Sequence, residues 1–317
     1  DVVIIGGGPA GLTAGIYTGR ASLKTLILEK GLPGGQIAQT EEVENYPGFL
    51  RISGPELAEH MRKHAEDYRK MVTIREEKVV DVRQDCERSC FMATTEHNDY
   101  GAKTLVFATG TKWRKLTMKG AQKFENRGVQ YCALCDGPLY RDKAVAIIGG
   151  SDTAAKEALL LAKYAKKVYI IYRGQKLRPE PINARRVRDN PRIETICCTH
   201  VVEIKGNSVV ERIVLDKPYH GKTEIEVDGV FGAIGNISLS ELARKLGVKT
   251  NHKKEIIINH RDSSTNIPGV FAAGDVTDKA FKQAITGVAE GVLAAYSAYK
   301  FVNENEFVCT FYDEQYK

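Results

Sequence analysis

The feature that most constrains the fold of this chain is a strand, a glycine turn and a helix that occur twice in its sequence. The first copy, DVVIIGGGPAGLTAGIY, predicts a buried strand over Val2–Ile5 and a helix that begins near Pro9. Gly6, Gly8 and Gly11 have the spacing G-x-G-x-x-G. The first two glycines allow a tight turn that approaches a pyrophosphate, and the third allows close helix packing. The pattern predicts a dinucleotide site, although a plain packing turn has the same glycines.

An acidic residue ends the next apolar stretch, KTLILEK. This residue, Glu29, follows the predicted helix and closes the second predicted strand. A carboxylate at this distance from the glycine turn is typical of the residue that accepts hydrogen bonds from a ribose. We therefore expect Glu29 to belong to the first dinucleotide site.

The second copy, KAVAIIGGSDTAAKEALLLAKYAKKVYIIYRG, has a weaker glycine pattern. It predicts a strand over Ala144–Ile148, a helix over Thr153–Tyr164 and a strand over Val168–Tyr172. The three positions of the glycine pattern are occupied by Gly149, Ser151 and Ala154. Because Ser151 adds a side chain where backbone and phosphate should meet, we expect looser pyrophosphate binding.

The end of this second strand carries basic residues instead of an acid. No Asp or Glu stands at positions 172 to 174, whereas Arg173, Lys176 and Arg178 follow. Guanidinium groups suit a 2′-phosphate and would leave a bare ribose without an acceptor. A solvated basic helix face is the alternative interpretation.

A third signal lies near the C-terminus, in GVFAAGDVTDKAFKQAIT. The pattern predicts a strand over Val270–Ala273, a turn at Gly274 and Asp275, and an amphipathic helix from about Lys282 to Phe301. Asp275 at the strand end is placed to accept hydrogen bonds from a cofactor's hydroxyl groups. The alternative interpretation is that Asp275 only forms the turn.

Length, charge and hydropathy describe an ordinary globular chain. Its 317 residues favour two domains, and its net charge of +6 has no concentrated basic block, so we expect no nucleic-acid partner. No apolar run reaches the roughly 18 residues of a membrane span, and no signal peptide precedes the first strand. These features predict a cytoplasmic protein without a membrane partner.

The sequence CALCDG places Cys132 and Cys135 in a C-x-x-C motif, which suits a metal ligand pair, a structural disulfide or a redox couple. Zinc normally needs four ligands, and Cys86 and Cys90 do not form a second pair at zinc spacing. A disulfide across so short a loop restrains little chain entropy. We therefore expect neither a metal site nor a purely structural disulfide here, which leaves a redox couple.

The other cysteines and the histidines carry no predicted chemistry. The adjacent Cys197 and Cys198 end an apolar strand, so core packing is expected, with a strained vicinal disulfide as the alternative. The seven histidines show no ligand spacing.

Together these motifs resemble the low-molecular-weight thioredoxin reductases, which are FAD-dependent pyridine nucleotide-disulfide oxidoreductases, over nearly the whole chain. The segments that carry the resemblance are Gly6–Gly11, Gly34–Gln36, Glu44–Phe49, Ala108–Thr111, Cys132–Gly137, Gly269–Asp275 and Gln283–Thr286.

The resemblance implies an α/β fold with two Rossmann-like nucleotide-binding domains (three-layer ββα), the second inserted in the first. The FAD-binding domain is then discontinuous, over 1–111 and 239–317. The pyridine-nucleotide-binding domain that carries the C-x-x-C motif covers 112–238.

The resemblance also implies which residues bind the cofactors. Those implied for FAD are Gly6, Gly8, Pro9, Ala10, Gly11, Glu29, Gly35, Gln36, Asn45, Thr109, Gly110, Asp275, Gln283, Ala284 and Ile285. Those implied for NADPH are Gly149, Ser151, Asp152, Thr153, Arg173 and Arg178. The second set departs from the family pattern, which leaves NADH, a reduced deazaflavin or ferredoxin as alternative electron donors.

The resemblance finally implies the activity of a thioredoxin-disulfide reductase. Electrons pass from NADPH through FAD to the Cys132–Cys135 disulfide, and then to thioredoxin or a thioredoxin-like protein. Cys135 is implied as the flavin-proximal cysteine, Cys132 as the interchange thiol and Asp136 as the acid or base. The family is usually homodimeric. A flavin dithiol oxidase and a non-enzymatic redox sensor are the alternatives.

Overall fold

The computed structural model describes residues 1–85 and 90–307. The chain forms two compact units. The first unit comprises 1–112 and 238–317, and the second comprises 113–237. Both Cys86 and Cys309 lie outside the described residues.

The helices and strands are numbered in chain order. The helices are α1 (Pro9–Arg20), α2 (Gly54–Asp67), α3 (Ala133–Asp136), α4 (Asp152–Leu161), α5 (Pro181–Asp189), α6 (Glu241–Lys245) and α7 (Ala284–Glu304). The strands are β1 (Val2–Ile5), β2 (Thr25–Glu29), β3 (Val72–Glu76), β4 (Val79–Asp85), β5 (Cys90–Thr95), β6 (Asp99–Ala102), β7 (Thr104–Phe107), β8 (Thr111–Trp113), β9 (Val129–Gln130), β10 (Ala144–Ile148), β11 (Lys167–Tyr172), β12 (Ile193–Cys197), β13 (Val201–Lys205), β14 (Arg212–Tyr219), β15 (Lys222–Glu226), β16 (Gly229–Gly232), β17 (Asn236–Ser238) and β18 (Val270–Ala272).

The first unit is built on a parallel sheet of order β18-β7-β1-β2-β3. Every residue of β1 and of β7 is buried, as expected for parallel strands covered on both faces. One face packs on α1, α2 and α7, and the other packs on the antiparallel sheet β4-β5-β6. This arrangement gives the predicted layers of sheet, sheet and helix.

The second unit repeats this arrangement. Its parallel sheet has the order β12-β11-β10-β16-β9, and the antiparallel sheet β13-β14-β15 forms the outer layer. One core cluster lies between the parallel sheet and α4, and another lies toward β13-β14-β15. The predicted fold class, two Rossmann-like domains, is confirmed.

Strand limits agree with the sequence patterns to within one residue, since β11 begins at Lys167 instead of Val168 and β18 ends at Ala272 instead of Ala273, and helix ends differ more. The strands β1 and β10 have the predicted limits. Helix α4 ends at Leu161 instead of Tyr164, because Lys163 N donates to Leu160 O and Tyr164 N to Leu161 O in tighter turns. Helix α7 begins at Ala284 instead of Lys282 and ends at Glu304.

Candidate active and cofactor sites

The first glycine turn has the geometry of a dinucleotide-binding turn. Gly6 has φ +112°, and a Cβ atom placed on it would lie 2.3 Å from Ala108 O. A Cβ atom on Gly11 would lie 1.9 Å from Gly6 O, so only glycine lets α1 begin this close to β1. A Cβ atom on Gly8 would meet only Gly35 Cα, at 3.7 Å. The space in front of the turn is therefore open to a ligand.

Glu29, the last residue of β2, lies directly beside this turn. Its Oε2 accepts a hydrogen bond from Gly7 N at 2.7 Å. This bond fixes the carboxylate and leaves lone pairs on both oxygens for further donors. The position suits the ribose acceptor that the sequence predicts.

The loops of the first unit bring the other residues implied for FAD together. Gln36 Nε2 donates to Thr111 O and Thr111 Oγ1, both at 2.7 Å. Asn45 Nδ2 donates to Gln283 Oε1 at 3.2 Å, and Gln283 caps the N-terminus of α7 in a capping box with Thr286. The loop after β2 is thus bonded to Thr111 through Gln36 and to the start of α7 through Asn45.

The turn after β18 lies against the start of α1. Gly274 has φ +85°, and a Cβ atom placed on it would lie 2.9 Å from Ala10 Cβ. The carbonyl of Asp275 accepts a hydrogen bond from Lys282 Nζ at 2.8 Å. Within the described residues, the partly exposed Asp275 carboxylate accepts no hydrogen bond. Free acceptors and the open space before Gly8 fit the hydroxyl and pyrophosphate groups of a dinucleotide.

The second glycine turn keeps the same backbone despite its serine. Ser151 has φ −89° and ψ −179°, close to the φ −77° and ψ −175° of Gly8. The Ser151 side chain is exposed and makes no capping bond. The turn therefore remains open, with a hydroxyl group added at its mouth.

The carboxylate of Asp152, the first residue of α4, bonds to other residues of its own unit. Its Oδ1 accepts from Glu180 N and Asn183 Nδ2, both at 2.9 Å, and its Oδ2 lies 2.8 Å from Lys156 Nζ. The carboxylate thus ties the start of α5 to the glycine turn. The neighbouring Thr153 is exposed.

The residues after β11 surround the same turn. The ring of Tyr172 covers Gly150 and Gly174, since Cβ atoms placed there would lie 2.4 Å and 2.5 Å from the ring. Arg178 N donates to Gly150 O at 2.8 Å. Arg173 and Arg178 are exposed, and neither forms an ion pair within the part of the chain that the structure describes. Two free guanidinium groups therefore stand beside a phosphate-binding turn.

The redox motif lies in a single turn of helix. Cys132 and Cys135 form a disulfide with Cα atoms 5.4 Å apart. Cys132 is the residue before α3, and its Sγ accepts a hydrogen bond from Cys135 N at 3.2 Å. A backbone donor aimed at Cys132 Sγ favours its thiolate after reduction.

The two sulfur-bearing residues differ in access. Cys132 is buried, with 8% of its surface exposed, whereas Cys135 is exposed. Burial raises the pKa of the partly buried Asp136 carboxyl. A carboxyl with a raised pKa exchanges protons near neutral pH more readily than an ordinary aspartate.

One expectation about the remaining cysteines is wrong. Cys197 ends β12 and is partly buried, but Cys198 is exposed with φ +58°, so it does not pack in a core. Both thiols are free. Strand β12 ends at Cys197. The left-handed backbone of the next residue, Cys198, leaves its side chain exposed.

Residues 1–85 and 90–307 contain neither a group of metal-ligating side chains nor a membrane-spanning helix. No three His, Cys, Asp or Glu side chains there group as metal ligands. None of the described helices is long and apolar enough to cross a bilayer.

Two Rossmann-like units, two glycine turns and a C-x-x-C disulfide define an oxidoreductase that acts on disulfides with dinucleotide cofactors. The sequence profile of the pyridine nucleotide-disulphide oxidoreductases matches residues 1–291, and the chain belongs to this family.

Relatives of known structure or function match nearly the whole length of the chain. The thioredoxin reductase of Bacillus subtilis (strain 168) is 38% identical over 315 residues, which cover 96% of this chain and 95% of the relative. The crystal structure of Lactococcus lactis thioredoxin reductase matches with a TM-score of 0.91 and 39% identity, covering 96% of this chain and 99% of that one. The T. acidophilum thioredoxin reductase has a TM-score of 0.89 and 34% identity, covering 96% and 98%.

Proposed function

We propose that this chain is a thioredoxin-disulfide reductase that passes electrons from NADPH through FAD to Cys132–Cys135, and from there to thioredoxin or a thioredoxin-like protein. The observation that carries the proposal is the Cys132–Cys135 disulfide at the start of α3, in the unit that holds the second glycine turn. In this structure Cys135 is exposed and Cys132 is buried, so attack by Cys132 on a partner requires that its sulfur first become accessible. The names of the relatives support thioredoxin as the partner.

We assign FAD to the first unit and the nicotinamide cofactor to the second. A bound flavin would supply two-electron transfer between a hydride donor and a disulfide. Glu29 and Asp275 would bind hydroxyl groups, and the N–H groups around Gly8 would bind the pyrophosphate. The other residues assigned to FAD are Gly6, Pro9, Ala10, Gly11, Gly35, Gln36, Asn45, Thr109, Gly110, Gln283, Ala284 and Ile285.

Equivalent positions in the two units support NADPH as the donor. Tyr172 follows Ala154 in the second copy of the motif at the same spacing at which Glu29 follows Gly11 in the first. Tyr172 therefore occupies the ribose-acceptor position, and it has no carboxylate to bind a free ribose diol.

A second equivalence concerns the loop over each turn. Gly34 N donates to Gly7 O at 2.8 Å, as Arg178 N does to Gly150 O. The second unit thus holds Arg178 where the first has glycine. With Arg173, this guanidinium suits a 2′-phosphate. The other residues assigned to NADPH are Gly149, Ser151, Asp152 and Thr153.

The chemistry of the chain's own residues is thiol–disulfide exchange. Two electrons and two protons convert Cys132–Cys135 to two thiols. The Cys132 thiolate, favoured by the Cys135 N–H, attacks one sulfur of the partner's disulfide and forms a mixed disulfide. The Cys135 thiolate then attacks Cys132 Sγ, which releases the partner as a dithiol and restores the internal disulfide. Asp136 moves the proton of the leaving or attacking thiol.

The donor is tested by anaerobic stopped-flow measurement of flavin absorbance at about 450 nm, with NADPH and NADH in separate mixes. We expect fast bleaching by NADPH and bleaching by NADH at least about tenfold slower, because Tyr172 stands at the ribose-acceptor position and two neighbouring arginines suit a 2′-phosphate. Dithionite, which needs no nucleotide site, is the positive control.

Bleaching by dithionite but by neither nucleotide would contradict NADPH and favour reduced deazaflavin or ferredoxin. Rapid aerobic turnover with dithiols would favour a flavin dithiol oxidase. The family resemblance also supports a cytoplasmic location and a homodimer. Light scattering of the purified protein tests the dimer, which should have twice the 35.1 kDa mass of the chain.

A further inference from the structure

A buried lysine lies next to the proposed flavin site and takes no part in the chemistry described above. The side chain of Lys279, in the loop between β18 and α7, is only 7% exposed. Lysines are almost never buried unless they are paired with an acid. Lys279 Nζ lies 3.3 Å from Glu290 Oε2 and 3.7 Å from Asp275 Oδ1. One cation is thus shared by two carboxylates.

Glu290, on α7, is the anchored member of this group. Its Oε2 accepts from Gly274 N at 2.7 Å, and Thr277 Oγ1 lies 3.1 Å away. Its side chain is 10% exposed. The Gly274 N–H and the Lys279 ammonium group both donate to this carboxylate. It therefore has a fixed position and can hold Lys279 in place.

Asp275 is the member that is left available. Its side chain is 33% exposed, and within the described residues its carboxylate accepts no hydrogen bond. Its backbone is fixed by the Lys282 bond and by the contact of Gly274 with Ala10. Lys279, beyond hydrogen-bond distance, orients the carboxylate by charge without occupying its lone pairs.

We propose that Lys279 is a positioning residue for the flavin: held by Glu290, its ammonium group orients the Asp275 carboxylate toward the hydroxyl groups of the cofactor. The inference rests on the proposed flavin function, and it adds two residues that are not in the set assigned to FAD. Lys279 acts through Asp275, so its effect depends on the Asp275 carboxylate.

The test is a titration of flavin-free protein with FAD, followed by flavin fluorescence, for wild type, Lys279→Met and Lys253→Met. Lys253 is an exposed lysine of the same unit and controls for the loss of one positive charge. We expect Lys279→Met to raise the dissociation constant about tenfold and Lys253→Met to change it less than twofold. We expect the flavin-free Lys279→Met protein to melt lower than wild type, because the variant leaves the buried Glu290 carboxylate without its cation, so the titration is run well below the melting temperature of the variant.

A double-mutant cycle separates positioning from a structural role. In an Asp275→Asn background, Lys279→Met should change the dissociation constant less than about twofold, because the group it orients is gone. A tenfold loss that persists in that background overturns the inference, as does wild-type affinity in Lys279→Met. A wild-type protein that binds no FAD would overturn the proposed cofactor itself. Loss of thioredoxin reduction alone would not affect this titration.

Discussion

At the residue scale, a buried carboxyl without a partner is the least expected group in the molecule. Glu157 lies on α4, and its Oε2 is buried with no hydrogen-bond partner within the described residues. Burial raises the pKa of Glu157 from 4.5 to about 8. Between these values the native protein holds a proton that the unfolded chain has released. The contribution of Glu157 to stability therefore falls as pH rises through this window.

We predict that Glu157→Gln stabilises the protein in a pH-dependent way. Near pH 8 the free energy of unfolding should rise by on the order of 2–3 kcal/mol, whereas near pH 5 it should change little. Urea unfolding at both pH values measures this difference. The exposed Glu226→Gln on β15 is the control. An equal effect of Glu157→Gln at both pH values would show that the carboxyl is ionised throughout.

The residue scale also shows where sequence patterns lose information. Lys279 and Glu290 belong to different segments, a loop and a helix, and charged residues of this kind are usually solvated, so nothing in the sequence marks their burial. The exposure of Cys198 depends on its left-handed backbone, which an apolar run does not reveal. By contrast, the spacing of the first motif predicts the tight turn at Gly6 and the position of Glu29 beside it, which the structure shows.

At the element scale, the two glycines of the first turn have separate tasks. A Cβ atom on Gly11 would meet Gly6 O at 1.9 Å, whereas one on Gly8 would meet only Gly35 Cα at 3.7 Å. The first contact concerns packing of α1 on β1, and the second concerns the space for a ligand.

We therefore predict that the Gly11 variant loses stability, whereas the Gly8 variant loses affinity for the cofactor. Gly11→Ala should lower the free energy of unfolding by about 2–4 kcal/mol, because backbone must move. Gly8→Ala should leave the stability of flavin-free protein within about 0.5 kcal/mol of wild type but weaken FAD binding at least about tenfold, because it narrows the pyrophosphate site. Gly31→Ala, with no atom within 4 Å of the added Cβ, is the control. Equal stability of all three variants would contradict the assignment.

Other elements were harder to predict than the parallel strands. The runs at β1 and β10 are short, apolar and followed directly by glycines, which mark their C-terminal ends. The antiparallel sheets β4-β5-β6 and β13-β14-β15 alternate buried and exposed residues with bulges, and the sequence patterns did not specify them.

At the scale of the whole molecule, the two units have the same three layers and differ in what surrounds each glycine turn. The first turn is faced by Glu29 and by Gly34 and Gly35, and the second by Tyr172 and two arginines. The division of the chain into 1–112 with 238–317, and 113–237, supports the proposal that each unit binds its own dinucleotide. The similarity of the layers could be predicted from the repeated motif, whereas the difference in ligands required the side-chain positions.

The central claim is that electrons from NADPH reach thioredoxin through the Cys132–Cys135 pair. The most direct measurement is the NADPH-dependent appearance of thiols on oxidised thioredoxin, for wild type, Cys132→Ser and Cys135→Ser. We expect turnover by wild type only, loss of at least about a thousandfold in each variant, and a mixed disulfide with thioredoxin when Cys132 is the cysteine that remains. Wild-type flavin that is bleached by NADPH while thioredoxin stays oxidised, or a variant that retains turnover, would contradict it.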